Sequence, residues 1–262
     1  MGADIYFRMS RRQVLHTITM RGNLELQGKT AIVTGASSGI GEAVTKELSS
    51  AGMNLIITAR RSDRIQRLAS QLGQTVAVSG DITEPDLPGR LVERALQTFG
   101  RCDVVVNNAG MWEANKIEEI DTERVCQMVR VNVEAAFRVM YTAVKHFRSV
   151  NRGYLIVMSS VAGTKLVRAT SGAYAGTKCA LEALSEGLRI ELAGTPIKVS
   201  CIQPGAVITE LQAHLAINPR ELYQLEHPLV PEDIARYVRF LLEQPDEILI
   251  PRLMVLPKGQ PI

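Results

Sequence analysis

From Lys29 onward the chain switches repeatedly between short runs rich in valine and isoleucine and longer stretches with helical periodicity. The short runs are Thr30–Thr34, Asn54–Ala59, Thr75–Ser79, Asp103–Asn107, Tyr154–Met158, Lys198–Ile202 and Ile248–Leu256. Most are apolar throughout rather than alternating, which is the pattern of a strand covered on both faces. Between them, Ile40, Ala43, Val44 and Leu48 fall on one face of a first helix. Val125, Met128, Asn132, Ala135 and Val139 share one face of another, and Leu181, Leu184, Leu188 and Leu192 one face of a third. Repeated β-α-β units with such strands bury both sheet faces only as a parallel sheet with helices on each side. The expected architecture is a single doubly wound α/β domain over residues 28–262, preceded by an amino-terminal extension, residues 1–27.

Composition then removes several classes of function. Apolar residues make up 46% and charged residues 22%, ordinary values for a folded globular chain. A net charge of +3 over 262 residues is too small an excess to imply a nucleic-acid partner. No stretch reaches the roughly 18 consecutive apolar residues of a membrane span. The cysteines, Cys102, Cys126, Cys179 and Cys201, are widely spaced and the histidines are scattered, so neither a disulfide framework nor a metal site is expected. The expectation is a protein of the reducing cytoplasm, without metal, membrane or nucleic-acid partners. The first 27 residues set Arg8, Arg11, Arg12 and Arg21 against only Asp4 and Glu25 and lack the apolar run of a secretory signal. A transit peptide, a flexible extension and a true start at Met20 all stay open for this segment.

The first strand runs into Thr34-Gly35-Ala36-Ser37-Ser38-Gly39-Ile40-Gly41, which opens the first helix. Glycines there let the backbone turn tightly and approach a pyrophosphate, and the helix amino terminus offers unpaired N–H groups to it. The spacing is GxxxGxG rather than GxGxxG. Gly35, Ser37 and Gly39 also satisfy GxSxG, the elbow of a serine hydrolase, which then needs an acid and a late histidine such as His214 or His227. The second strand ends Thr58-Ala59-Arg60-Arg61, with no acid before Asp63. In a dinucleotide fold, arginine at that place accommodates a 2′-phosphate where an acid would select a ribose hydroxyl, so Arg60 and Arg61 favour NADP(H) over NAD(H). Asp81 and Ile82 follow the third strand, placed to flank an adenine.

Tyr174 and Lys178 lie four residues apart, on one helix face. A phenol titrates near 10, and a neighbouring cation lowers that value toward the range where it can exchange protons. Ser159 and Ser160 end the fifth strand, at the sheet edge where open α/β folds place ligands. Asn132 interrupts the apolar stripe of its helix, so its amide points inward and must find partners.

With Asn107-Asn108-Ala109-Gly110 and Pro204-Gly205-Ala206-Val207-Ile208-Thr209, these motifs stand in the order found in the short-chain dehydrogenase/reductase family, which residues 28–257 resemble. The resemblance implies a Rossmann-type sheet in strand order 3-2-1-4-5-6-7 and a catalytic tetrad of Asn132, Ser160, Tyr174 and Lys178. Tyr174 would be the general acid/base and Ser160 would orient the substrate oxygen. Lys178 would hold the nicotinamide ribose and lower the tyrosine pKa, and Asn132 would hold a proton-relaying water. Asn108, Ala109 and Gly110 would line the adenosine side, and Pro204, Gly205, Val207 and Thr209 would cover the nicotinamide. Ser160 lies 14 residues before Tyr174, one more than the family pattern has. The carboxyl-terminal part, from Pro231 to Pro257, is loosely similar to the NADP-dependent clavaldehyde and 3-hydroxy acid dehydrogenase branch.

The expected activity is therefore NADP(H)-dependent interconversion of a small carbonyl compound and an alcohol by a homodimer or homotetramer built on the helices carrying Asn132 and Tyr174. A catalytically silent NADP(H)-binding sensor is the alternative. Met111–Ala114, Thr164–Gly172 and Glu210–Leu229 are the expected substrate walls. The last holds Leu211, His214, Leu215, Ile217, Tyr223 and Leu225, which suits an apolar substrate, while Arg168 and Arg220 keep an acidic one open.

Overall fold

The structure, a computed structural model, describes residues 26–166, 168–212 and 225–261. Most of the expected extension, and His214, Leu215, Ile217, Arg220 and Tyr223, lie outside the described residues. Seven strands form one sheet: β1 (Thr30–Thr34), β2 (Asn54–Ala59), β3 (Thr75–Ser79), β4 (Val104–Asn107), β5 (Gly153–Met158), β6 (Ile197–Pro204) and β7 (Arg252–Val255). Their order is β3-β2-β1-β4-β5-β6-β7, and every pairing is parallel. This is the doubly wound α/β architecture and the strand order expected from the sequence.

The continuous apolar strands have a direct packing explanation. Successive residues point to opposite faces, and both faces are covered. Ala31, Val33, Leu55 and Ile57 pack in one layer with α1 (Gly39–Ser50), α2 (Ser62–Gln71) and α7 (Pro231–Leu242). Ile32, Ile56, Val105 and Leu155 pack in the other with α3 (Leu87–Phe99), α5 (Ala136–Val150) and α6 (Gly172–Glu191). α4 (Thr122–Val129) joins α5 through a π-helical turn, Arg130–Ala135, which the sequence periodicity did not announce. The Asp121 side chain caps α4 by accepting from the amides of Glu123 and Arg124.

Several strand limits differ from expectation: β5 starts at Gly153, β6 runs over Ile197–Pro204 and β7 ends at Val255, and two later starts have local reasons. β7 begins at Arg252 rather than Ile248, because Pro251 has no N–H to give the ladder. β4 begins at Val104, because Asp103 is spent on a buried polar anchor. Its carboxylate accepts from the Thr30 amide (2.9 Å) and from Arg101 Nε and Nη2 (2.6 and 2.8 Å). The anchor pins the starts of β1 and β4 together, and from their carboxyl ends the chain leaves in opposite directions, to β2 and to β5. Between them the chain reverses direction across the sheet, which leaves the crevice where such folds bind ligands.

Replacing Asp103 with alanine leaves a buried amide and a partly buried guanidinium without their acceptor, so it should lower the unfolding free energy by about 2–3 kcal/mol. Asp103→Asn, which keeps one acceptor, should lose less. Urea unfolding of the three proteins checks the order.

Candidate active site

The crevice is a cleft of about 720 Å³ over the carboxyl ends of β1, β2, β4, β5 and β6. Its floor is the junction of the turns after β1 and β4. Thr34 Oγ1 accepts from the amides of Asn108 and Ala109, both at 2.9 Å, and donates to Val106 O at 3.4 Å. Asn108 Nδ2 returns a bond to Thr34 O at 2.9 Å. The approach is too close for side chains. A Cβ on Gly41 would lie 2.2 Å from Gly35 O and 2.6 Å from Asn108 Nδ2, and Gly35 itself has φ +70°. Ser38 precedes α1 in extended conformation without capping it through its side chain. The first-turn amides of that helix therefore have no side-chain cap, and Gly39, Ile40 and Gly41 line the cleft.

At the end of β2, Arg61 reaches back to this turn. Its Nε and Nη2 donate to Ser37 Oγ at 3.1 and 2.9 Å, and Nη2 also donates to Ser38 Oγ at 2.6 Å. A guanidinium cannot take up a proton at neutral pH, so among the described residues the partner of Ser37 is not a general base, and His214 lies outside them. Arg60 stands in the open, 3.9 Å from Asp81. Burial pushes the Asp81 carboxyl up, but the Thr83 amide and hydroxyl and the Arg60 charge hold it below its ordinary value. Ile82 lies beside Asp81 in the same wall.

Ser160, Tyr174 and Lys178 meet across the cleft from the Gly-rich turn. Ser159 and Ser160 separate cleanly. Ser159 is buried, with its hydroxyl toward Gly163, whereas Ser160 is half-buried and its Oγ accepts from the Ala162 amide at 3.2 Å. The interval from Ser160 to Tyr174 holds two short 3₁₀ turns, Val161–Gly163 and Ala169–Ser171. Lys178 Nζ donates to Met158 O at 2.9 Å and sits 5.7 Å from the Tyr174 ring centroid. Asn132 lies behind them on the π turn, not in the cleft wall. Its amide is spent on the backbone: Nδ2 donates to Met111 O (2.8 Å) and Thr177 Oγ1 (3.2 Å), and Oδ1 accepts from Met111 N (2.9 Å). A Cβ on Gly110 would lie 3.3 Å from Asn132 Oδ1 and 3.9 Å from Lys178 Nζ, so Gly110 leaves room where these groups converge.

The structure gives Trp112, inside the expected Met111–Ala114 wall, a specific partner, and adds Gln260, which sequence reasoning did not name. Trp112 sets its ring edge-on to Tyr174, with centroids 6.4 Å apart at 86°. Gln260, near the carboxyl end, accepts from the Ala206 amide at 2.8 Å and braces Pro204–Ala206, the start of the segment that crosses the cleft. Along that segment Pro204, Gly205, Val207 and Thr209 all line the cleft. Leu211 lines it too, as expected for a substrate wall. Glu210 lines the cleft as well, with its carboxylate accepting from Arg61 and Arg64. No helical pattern or motif marks this pairing, because the partners are far apart in sequence.

The cost of the arrangement falls on Lys178. Burial pushes its ammonium pKa down to about 8, against smaller upward contributions from Cys201 and Glu182. In an unfolded chain the group titrates near 10.5. Below about pH 8 both states carry the charge and the folded state bears the whole desolvation cost. Between those two values the folded state sheds its proton first and the cost fades. Stability relative to Lys178→Met should therefore rise by about 3 kcal/mol as pH climbs from 7 to above 10. Parallel urea titrations of the two proteins across that range check it, and a constant difference would refute it.

Comparison with known proteins agrees with this geometry. The short chain dehydrogenase family pattern matches residues 29–219. An uncharacterized oxidoreductase of Staphylococcus saprophyticus is 34% identical over 244 residues, 90% of this chain and 98% of its own. The closed form of a serine dehydrogenase complexed with NADP+ superposes with a TM-score of 0.83 at 26% identity, over 89% of this chain and 96% of that one. An alcohol dehydrogenase from the archaeon Thermococcus sibiricus, complexed with 5-hydroxy-NADP, gives 0.77 at 30% identity, over 87% of this chain and 96% of that one. With well over half of its length matched and the expected sheet order in place, the chain belongs to the short chain dehydrogenase family and is an oxidoreductase.

Proposed function

We propose that the protein interconverts a carbonyl compound and an alcohol with NADP(H) as the hydride carrier. The observation that carries this reading is one cleft with a side-chain-free cradle at one end and a tyrosine beside a buried lysine at the other. The residues present fit a dinucleotide. Gly35 and Gly41 leave the space that a Cβ would fill, and the first turn of α1 offers amides to a pyrophosphate. Arg60 and Arg61 put two cations at the end of β2, where the adenosine ribose of such a fold lies. Bound there, the nicotinamide supplies or accepts the hydride.

The chain's own residues handle position and the proton. Ser160 accepts from the Ala162 amide, which leaves its hydroxyl proton free to be aimed at a substrate oxygen. Tyr174 gives that oxygen a proton as a carbonyl is reduced, or takes one from an alcohol in the reverse direction. Lys178 favours the phenolate by its charge, and Met158 O fixes where that charge sits. Asn132 acts at one remove. By binding both backbone groups of Met111 it positions the Gly110–Trp112 wall against Tyr174 and Lys178. Trp112 limits the space over the phenol, and Leu211 adds an apolar side, which supports an apolar carbonyl substrate. The NADP complexes of the serine and alcohol dehydrogenases support the choice of nucleotide.

Tyr174→Phe should retain nucleotide binding and lose at least 99% of turnover, on the order of the contribution of one positioned acid/base. NADPH oxidation across a panel of aldehydes and ketones, with binding followed separately, tests this, and a largely active variant would refute the proton role. Replacing Arg60 and Arg61 with alanine should weaken NADPH by about tenfold or more and NADH much less, because each charged contact to a phosphate is worth roughly 1.5–3 kcal/mol. Equal weakening of both nucleotides would show that these arginines do not read the 2′-phosphate.

A further inference from the structure

The segment Val207–Gln212 crosses the mouth of the cleft, and its two ends are held differently. At its start, Ala206 N donates to Gln260 (2.8 Å), Ile208 N donates to Leu229 O (2.9 Å), and Leu229 N donates to Ala206 O (3.0 Å). Further along it meets the opposite bank. Thr209 Cβ and Cγ2 lie 3.2 Å from where a Gly39 Cβ would be, so the segment rests on the Gly-rich turn. Glu210 then takes three bonds from the β2 side: Arg61 Nη1 at 2.6 Å and Arg64 Nη1 at 2.8 and 2.9 Å. The same Arg61 holds Ser37 and Ser38 with its other nitrogens. One guanidinium thus ties the phosphate-side turn to the segment that closes over it.

We propose that Glu210 is a positioning residue that latches Val207–Gln212 across the cleft through Arg61 and Arg64, and so sets how fast a bound dinucleotide leaves. The inference rests on the dinucleotide reading of the cleft. Three features support it. The latch joins two banks that both line the cleft, so a dinucleotide lying between them exchanges only when the segment lifts. The latch engages Nη1 of Arg61, leaving its Nε and Nη2 edge at the serines, where the 2′-phosphate is proposed to be read. Its side chains are also well exposed, at 41% for Arg61, 43% for Arg64 and 49% for Glu210. Exposed ion pairs are weak and open readily, which suits a gate that must release product cofactor on every turnover.

Glu210→Gln and Arg64→Gln both break the latch but change the local charge in opposite directions. A gate and a simple field effect therefore separate. The sole tryptophan, Trp112, lines the cleft, so energy transfer from it to NADPH or NADH reports release in a stopped-flow chase without turnover. Each variant should raise the dissociation rate of both nucleotides about threefold to fivefold, the range expected of an exposed ion pair. Both substitutions are at the surface, and a circular dichroism spectrum and thermal midpoint matching the parent exclude a folding defect. Unchanged rates in both variants would overturn the latch while leaving nucleotide binding intact. Opposite shifts, with Glu210→Gln slowing NADPH release, would also overturn it and make Glu210 a competitor of the phosphate. No transfer to either nucleotide in the parent protein would instead remove the dinucleotide reading, and the latch with it.

Discussion

The cleft depends on how closely the turn after β1 approaches the turn after β4. Thr34 closes β1 with a hydroxyl that accepts two successive amides from the far side of the switch point, those of Asn108 and Ala109. A single oxygen thereby satisfies two buried donors that would otherwise cost about 1–3 kcal/mol each. The closeness leaves no volume for a side chain at Gly35 or Gly41. The absence of side chains there bares the backbone amides that an anion can use. Packing, hydrogen-bond satisfaction and the capacity to bind phosphate are therefore one constraint, set where the chain leaves β1 and β4 in opposite directions after Asp103 has joined their beginnings.

The opposite end of the cleft is organised around a buried charge rather than a missing side chain. Lys178 is held in a place that lowers its affinity for a proton, and it donates to a main-chain oxygen of β5. That bond fixes the ammonium relative to the sheet and leaves its remaining donors for groups that arrive with a ligand. The π turn does comparable work for Asn132. An extra residue in the helical turn marks a departure from regular packing that proteins keep mainly at functional positions. Here it lies where a polar side chain must turn inward to reach Met111. The tyrosine is thus surrounded by groups whose positions are settled by backbone partners, which is the condition for a proton to move at a defined atom.

Much of this was legible in the sequence because it is local. The apolar strand runs, the Gly-rich turn, the Tyr174–Lys178 spacing and the arginines after β2 are short patterns, and each lies close to where the pattern puts it. Asn132 was legible as an inward-facing amide, but its partners were not: Met111 and Thr177 come from other elements, and only the folded chain brings them within reach. In the function proposed here that amide positions the Gly110–Trp112 wall, beside the water-holding role that the resemblance implies for Asn132. Glu210 was read as part of a substrate wall because its neighbours are apolar. Its true surroundings are Arg61 and Arg64, about 150 residues earlier, and no periodicity carries information over that distance. The start of β7 differs for a simpler reason, since an isoleucine- and leucine-rich run masks the missing amide of Pro251.

The charges around the cleft are distributed unevenly, and that asymmetry ties the two proposals together. The β2 bank carries Arg60, Arg61 and Arg64, and Glu210 reaches the last two from the opposite bank. Arg61 and Arg64 hold the Glu210 carboxyl below its ordinary value, so it keeps its charge at neutral pH. Glu210 and Asp81 offset part of the charge of the three guanidinium groups, and what is left favours a phosphate on this bank. The Glu210 carboxylate is the latch to Arg61 and Arg64, and because those side chains are exposed the latch opens readily when the nucleotide has to leave. A cofactor carried through repeated turnovers needs both properties, and here they arise from side chains that are exposed, weakly coupled and quick to rearrange. The rigid part of the cleft sets what fits, and the exposed ion pairs set how long it stays.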